Sequence, residues 1–157
     1  MNAVVAIPPI EDFYFTPHRL SSLGAGIVAD ILSECGISVQ LLNFPNNKKK
    51  TTTLPLPGEL SSLAEYLIPS ERGKLSYFTR YQRLGPDFNS CAETVVSCSP
   101  SLCCISSCAF CYAQQAIALA EAVKKRDPAI KIIAGGAAVS SHPDYFIGND
   151  AIDYAYI

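Results

Sequence analysis

Short apolar runs alternate along this chain with stretches of helical apolar spacing, and that alternation restricts the fold more than any other feature. Asn2 to Ile7 (NAVVAI) is apolar after its first residue, ends at Pro8-Pro9, and reads as a strand buried on both faces. Thr16-Pro17 is a helix start, with Thr at the N-cap and Pro at the first helical position. Leu20, Leu23, Ile27, Ile31 and Cys35 then recur at helical spacing beside Val28 and Leu32, as in a helix that packs through one side, and Gly36 stops it. Ser38 to Phe44 (SVQLLNF) is the second strand. Strand, helix and strand in about 40 residues form the βαβ unit of a parallel sheet, and the right-handed crossover places the second strand beside the first.

The stretch from Pro45 to Pro86 is less regular. It opens on the polar NNKKKTTT, holds a short amphipathic helix on Leu60, Leu63, Ala64 and Leu67 closed by Pro69, and continues through Tyr77, Phe78, Tyr81 and Leu84 without clean period. It reads as an elaborated connection. Helical spacing resumes over Asp87 to Ser97, followed by a third strand at Leu102 to Ser106 (LCCIS) and a helix at Tyr112 to Arg126 with a basic last turn. Ile130 to Ala134 is a fourth strand, Pro143 to Ile147 a short helix, and Ala151 to Ile157 a fifth strand. The expected architecture is an α/β doubly wound, flavodoxin/Rossmann-like sheet of five parallel strands, order 2-1-3-4-5, in one domain over residues 1–157. A chain that stops on a core strand is expected to be a fragment of a longer one.

Composition narrows the function. The chain has 157 residues, 49% hydrophobic against 17% charged, the reverse of a disordered chain. Lys+Arg is 12 and Asp+Glu is 14, a net charge of −2, and the longest basic runs are Lys48 to Lys50 and Lys124 to Arg126, too short to hold a phosphate backbone. Nucleic acid is therefore not expected as a partner. Nor is a membrane: no apolar run is long enough to span one, and the N-terminal MNAVVAIPPIEDF lacks the basic region of a signal peptide. Seven cysteines, five of them between Cys98 and Cys111, form an odd set in an apolar chain. They fit a reducing, cytoplasmic setting, as buried small hydrophobes or as ligands.

Ligands of such a sheet bind at the carboxyl ends of its strands. Two of the loops there stand out. Gly135-Gly136-Ala137-Ala138-Val139-Ser140 leaves the fourth strand with two glycines, which either admit backbone to a ligand or make a tight turn. Ser106-Ser107-Cys108 leaves the third strand, and its hydroxyls either cap the next helix or hold a ligand. His142 precedes Pro143 and reads as a helix-start residue beside the first of these loops, and His18 as a solvated first-turn residue. Glu11 and Asp12 are the acids on this side, with no partner for acid–base work visible in the sequence.

The stretch SLCCISSCAF…IALAEAVKKRDPAIKIIAGGAAVSSHPDYF…AIDYAYI, with the opening VVAIPPIED…LGAGIVADILSECGISVQLLNF, resembles the amino-terminal cobalamin-binding domain of cobalamin-dependent radical S-adenosylmethionine enzymes, such as the anaerobic magnesium-protoporphyrin ester cyclases. The resemblance covers nearly all of the chain outside Pro45 to Pro86. It implies a corrin ring on the carboxyl ends of the strands and a nucleotide tail in a groove beside the sheet. It maps the family's Ser-x-Leu motif onto Ser106, Ser107 and Cys108, and the family's glycine pair onto Gly135 and Gly136, with Ala137 and Ser140 in the same loop. It further implies a C-terminal radical domain, carrying a four-iron cluster and S-adenosylmethionine, as the partner of this one. The parent would be a methyltransferase or cyclase-like enzyme, and the module alone would have no turnover. The family's Asp-x-His-x-x-Gly motif is absent: Asp12 is followed two residues later by Tyr14, and His18 lacks the flanking Asp and Gly, so no protein ligand to cobalt is expected.

Two alternatives stay open. Cys104-x-x-x-Cys108-x-x-Cys111 has the spacing of the radical enzymes' own iron–sulfur motif, although Cys104 falls within a strand and Cys111 at the next helix. The other is a Rossmann-like interaction domain without a ligand.

Overall fold

The computed structural model describes residues 1–13, 22–46, 51–66 and 80–157. Strand β1 (Asn2–Ile7) is followed by the short β2 (Ile10–Asp12), helix α1 (Leu23–Glu34) and β3 (Ser38–Asn43). Then come β4 (Thr51–Thr53), a 3-10 segment at Gly58–Tyr66, β5 (Gln82–Leu84), α2 (Phe88–Ser97) and β6 (Leu102–Ser106). A 3-10 turn at Phe110–Tyr112 leads into α3 (Ala113–Arg126), and β7 (Lys131–Gly135), α4 (Ala137–Ser141), α5 (Pro143–Ile147) and β8 (Tyr154–Tyr156) complete the chain.

Five strands form one sheet in the order β3-β1-β6-β7-β8, with all four pairings parallel. The architecture is thus a parallel sheet flanked by helices, compatible with a Rossmann or flavodoxin-like fold. The order departs in its numbers from the expected 2-1-3-4-5, because β2, β4 and β5 intervene in the chain and form a separate antiparallel sheet, β2-β5-β4. The irregular stretch contributes β4 and β5 to it. Its expected amphipathic helix is 3-10 over the described part, while Leu67, Pro69, Tyr77 and Phe78 lie outside the described residues.

Alternation along the strands divides the apolar residues between two layers. Val4, Ala6, Cys103, Ile105, Ile132 and Ala134 point to one side, where α2, α3, α4 and α5 cover them with Val95, Leu119, Val123, Val139 and Phe146, all at 0% exposure. Val5 and Ile7 point to the other side, where α1 meets them with Ala25 and Ala29. Strand β1 is buried on both faces, as expected.

Helix α1 corrects one expectation. Its Thr16-Pro17 start and Leu20 lie outside the described residues, and of its described large apolar residues Leu32 packs partly against the core while Leu23, Ile27 and Ile31 do not pack inward. Leu23 is 69% exposed, Ile27 50% and Ile31 53%, while the buried positions are Ala25 and Ala29. Two small residues one turn apart bring the helix backbone close to the sheet, and that contact turns the Leu/Ile stripe outward. Gly36, at φ +79°, then reverses the chain into β3.

Asp153 ties the sheet's last strand to its neighbours. Its Oδ2 accepts hydrogen bonds from Lys124 Nζ at 2.7 Å and from the Ile132 N–H at 2.8 Å, and its Oδ1 accepts from Lys131 Nζ at 2.9 Å. Burial pushes the carboxyl's pKa up, but these donors outweigh it and hold it well below the usual carboxylate range. A carboxylate depressed in the folded state stabilises above its unfolded pKa, and the stabilisation is lost as pH falls through the folded value. Asp153→Asn is therefore expected to lower urea stability at neutral pH and to flatten its acid dependence below about pH 4. Leu119→Ala, in the fully covered layer, should cost about 2–5 kcal/mol at every pH in the same titrations.

Candidate functional site

Strands β1, β6, β7 and β8 deliver their carboxyl ends to one edge of the sheet. The β6 and β7 ends are cross-tied: the Ser107 N–H donates to the Gly135 carbonyl at 2.8 Å, and the Ala138 N–H donates to the Ser107 carbonyl at 3.2 Å. Gly136 lies at that crossing with φ +109°, and a Cβ there would stand 2.5 Å from the Ser107 oxygen. The second glycine of the pair is therefore required by the contact between two loops. Gly135 differs, because a Cβ on it would meet the Tyr156 Cβ at an ordinary 3.7 Å.

Below this edge, on the α1 side of the sheet, runs a cavity of about 480 Å³. Val28 of α1 forms one wall, Cys104 and Ile133 the floor and Tyr156 the far wall, with Ser106 and Gly135 at its upper end. It exists because α1 covers β1 and β3, whereas among the described residues no helix covers β6, β7 and β8 on this side. Its volume falls in the range of small-molecule sites, about 300–1,000 Å³.

A second, small cavity of about 10 Å³ lies where β1 and β6 part, between Pro9 and Ser107. In an open parallel sheet this divergence of the chain is the usual ligand crevice. Ser107 and Gln115 border it, at 2% and 7% exposure, and among the described residues neither Ser107 Oγ nor Gln115 Oε1 has a hydrogen-bond partner. Buried polar atoms are ordinarily paired, so two such atoms at one crevice mark a place built for polar contact. Tyr112 also borders it, and its hydroxyl donates to Asp12 Oδ2 at 2.7 Å. Burial and that hydrogen bond together raise the tyrosine's pKa. The acids thus have partners after all: Glu11 pairs with Arg83 at 3.2 Å.

The structure brings Ser106, Gly135 and Gly136 together at the large cavity and sets Ser107 beneath the edge. Cys108, Ala137 and Ser140 are exposed, the last two in α4, where a loop was expected. His142 stands at the start of α5 on the surface without a side-chain capping bond, its ring stacked on Phe110 at 4.1 Å, and His18 lies outside the described residues. The three cysteines of the iron–sulfur alternative are divided. Cys104 lies within β6 on the α1 side, whereas Cys108 and Cys111 are exposed beyond the strand's end. Among the described residues no three His, Cys, Asp or Glu side chains stand together as a metal site. Cys103 faces the opposite layer, where burial pushes its thiol up to about 12. Burial likewise raises Cys104 and Cys108, and burial with the nearby Asp12 charge raises Cys111.

Sequence reasoning missed Gln115 and Tyr112. Gln is a good helix former and left no mark on the apolar period of α3, and nothing local tied Tyr112 to Asp12, 100 positions away. The cavity walls at Val28, Ile133 and Tyr156 were missed too, because the cavity comes from the part of the sheet that no described helix covers. Among the described residues no helix is long and apolar enough to cross a membrane. No family model and no curated protein matches the chain.

The unequal roles of the two glycines are measurable. Gly136→Ala is expected to cost about 2–4 kcal/mol in urea denaturation, from left-handed strain and the clash with Ser107. Gly135→Ala should change stability by no more than about 1 kcal/mol.

Proposed function

We propose that this chain is a corrinoid-binding module of a cytoplasmic radical S-adenosylmethionine enzyme, of methyltransferase or cyclase type, built on a flavodoxin-like sheet. The observation that carries the reading is the apolar cavity of about 480 Å³ that opens beside Ser106 and Gly135 at the carboxyl edge. A nucleotide tail needs a slot along the sheet, and a flat macrocycle needs an edge of small residues above it. Gly135, Gly136, Ala137 and Ser106 supply such an edge. The residues present fit the group in one further respect: Ser107 Oγ is a buried donor and acceptor with no partner among the described residues. Corrinoid chemistry, when the cofactor is bound, is methyl carriage or tuning of a radical step in the partner domain. This chain's own residues would bind and orient it. Val28, Ile133 and Tyr156 would exclude water from the tail, Ser106 and Ser107 would offer hydrogen bonds, and Cys108, Ala137 and Ser140 would border the ring. All seven cysteines are free, which fits a reducing compartment.

A second reading, an interaction domain without a cofactor, is favoured by one observation: the outward stripe of Leu23, Ile27 and Ile31. Titration with hydroxocobalamin followed by gel filtration separates the two. The corrinoid reading expects co-elution of the red cofactor with the wild-type protein. It also expects Gly135→Leu, which puts a side chain into the cavity mouth, to lose at least about tenfold in affinity, equivalent to about 1.4 kcal/mol, with an unchanged circular dichroism spectrum. Wild-type protein that elutes colourless, or Gly135→Leu that binds as wild type, overturns it.

A further inference from the structure

Cys108 and Cys111 occupy the loop between β6 and α3, and the iron–sulfur alternative has no third ligand to give them. Among the seven cysteines only these two and Cys35 are exposed, and Cys35 stands alone at the far end of α1. Cys91 and Cys103 are buried in the covered layer, Cys98 donates to Gln40 Oε1 at 2.7 Å, and Cys104 is half-buried in the cavity floor. The chain therefore presents one pair of accessible thiols, with two residues between them.

Both cysteines lie on the one short loop that leads from β6 into α3. Ala109 is extended, and the Tyr112 N–H donates to the Ala109 carbonyl at 3.0 Å, which closes a turn with Cys111 inside it. Phe110, between the two cysteines, is held outward by its stack on His142 at 4.1 Å and an edge contact with Tyr145 at 5.3 Å. The charge of Cys111 opposes ionisation of Cys108.

We infer that Cys108 and Cys111 form a thiol–disulfide exchange site, an accessible dithiol that cycles with an internal disulfide. The oxidant is a low-molecular-weight disulfide, R–S–S–R. One cysteine thiolate attacks a sulfur of R–S–S–R, forms a mixed disulfide and expels R–S⁻, which takes up the proton that the cysteine lost. The second cysteine, deprotonated in turn, attacks the protein sulfur of the mixed disulfide, closes the Cys108–Cys111 bond and expels the second R–S⁻. The protein loses two hydrogens and two electrons, and R–S–S–R becomes two R–SH. A small dithiol runs the cycle backward. Burial raises both thiols, and the charge of Asp12 raises Cys111 further. The inference does not rest on corrinoid binding, although Cys108 also borders the proposed ring site.

The test uses the full chain with Cys35→Ser, so that the exposed thiols are Cys108 and Cys111. The reduced protein is incubated with glutathione disulfide, quenched in acid and read by intact mass and by differential alkylation with peptide mapping. The expected main product has lost two hydrogens, carries no glutathione, and has Cys108 and Cys111 protected from alkylation until dithiothreitol is added. Cys108→Ser and Cys111→Ser should each abolish that product and hold one stable glutathione adduct on the remaining cysteine. Circular dichroism shows that each variant is folded, and serine on an exposed loop removes no packing. The inference is overturned if glutathione adducts form on the pair without closure, or if an internal disulfide persists in either serine variant.

Discussion

A parallel strand sends alternate side chains to opposite layers, and in this protein the two layers are unequally served. Four helices cover one face of the sheet, while α1 covers only the β1 and β3 part of the other. The large cavity descends from that inequality. The cavity beside α1 is the uncovered portion of the second face, and Cys104 and Ile133 form its floor because their neighbours Cys103 and Ile132 have taken the covered side. A single-residue slip of β6 would exchange these sets and place a fully buried Cys103 on the open face, so the register Val5 to Cys104 to Ile133 defines the cavity as well as the core.

Much of the fold was legible in the residues. Apolar runs bounded by proline, glycine and polar turns gave the five strands of the large sheet, and the helical spacing over Asp87 to Ser97 gave α2. Two things were not legible, for different reasons. In α1 a large stripe (Leu23, Ile27, Ile31) and a small one (Ala25, Ala29) share the same four-residue spacing. Period alone cannot tell which of them meets the sheet, and closeness of approach decided for alanine. The three-residue strands β2, β4 and β5 are too short to show any period, and their pairing is set by contacts 29 or more positions apart.

The candidate site shows the same division. Ser106, Gly135 and Gly136 were found from their places at strand ends, and they do converge. What the sequence could not apportion was the work of the two glycines, since only the path of the neighbouring loop reveals that Gly136 yields to the Ser107 carbonyl while Gly135 faces the cavity. Ser107 and Gln115 acquire significance from burial without partners, a property of three-dimensional surroundings that no motif encodes.

The anchoring of β8 through Asp153 has a consequence for the cavity. The carboxylate needs Lys124 from the end of α3 and both the main chain and side chain at the start of β7. Strand β8 is short, with Tyr154 and Tyr156 both exposed, and brings little apolar burial of its own. At this edge of the sheet the charged contact does much of the holding, and the far wall of the cavity, Tyr156, depends on a carboxylate three residues before it.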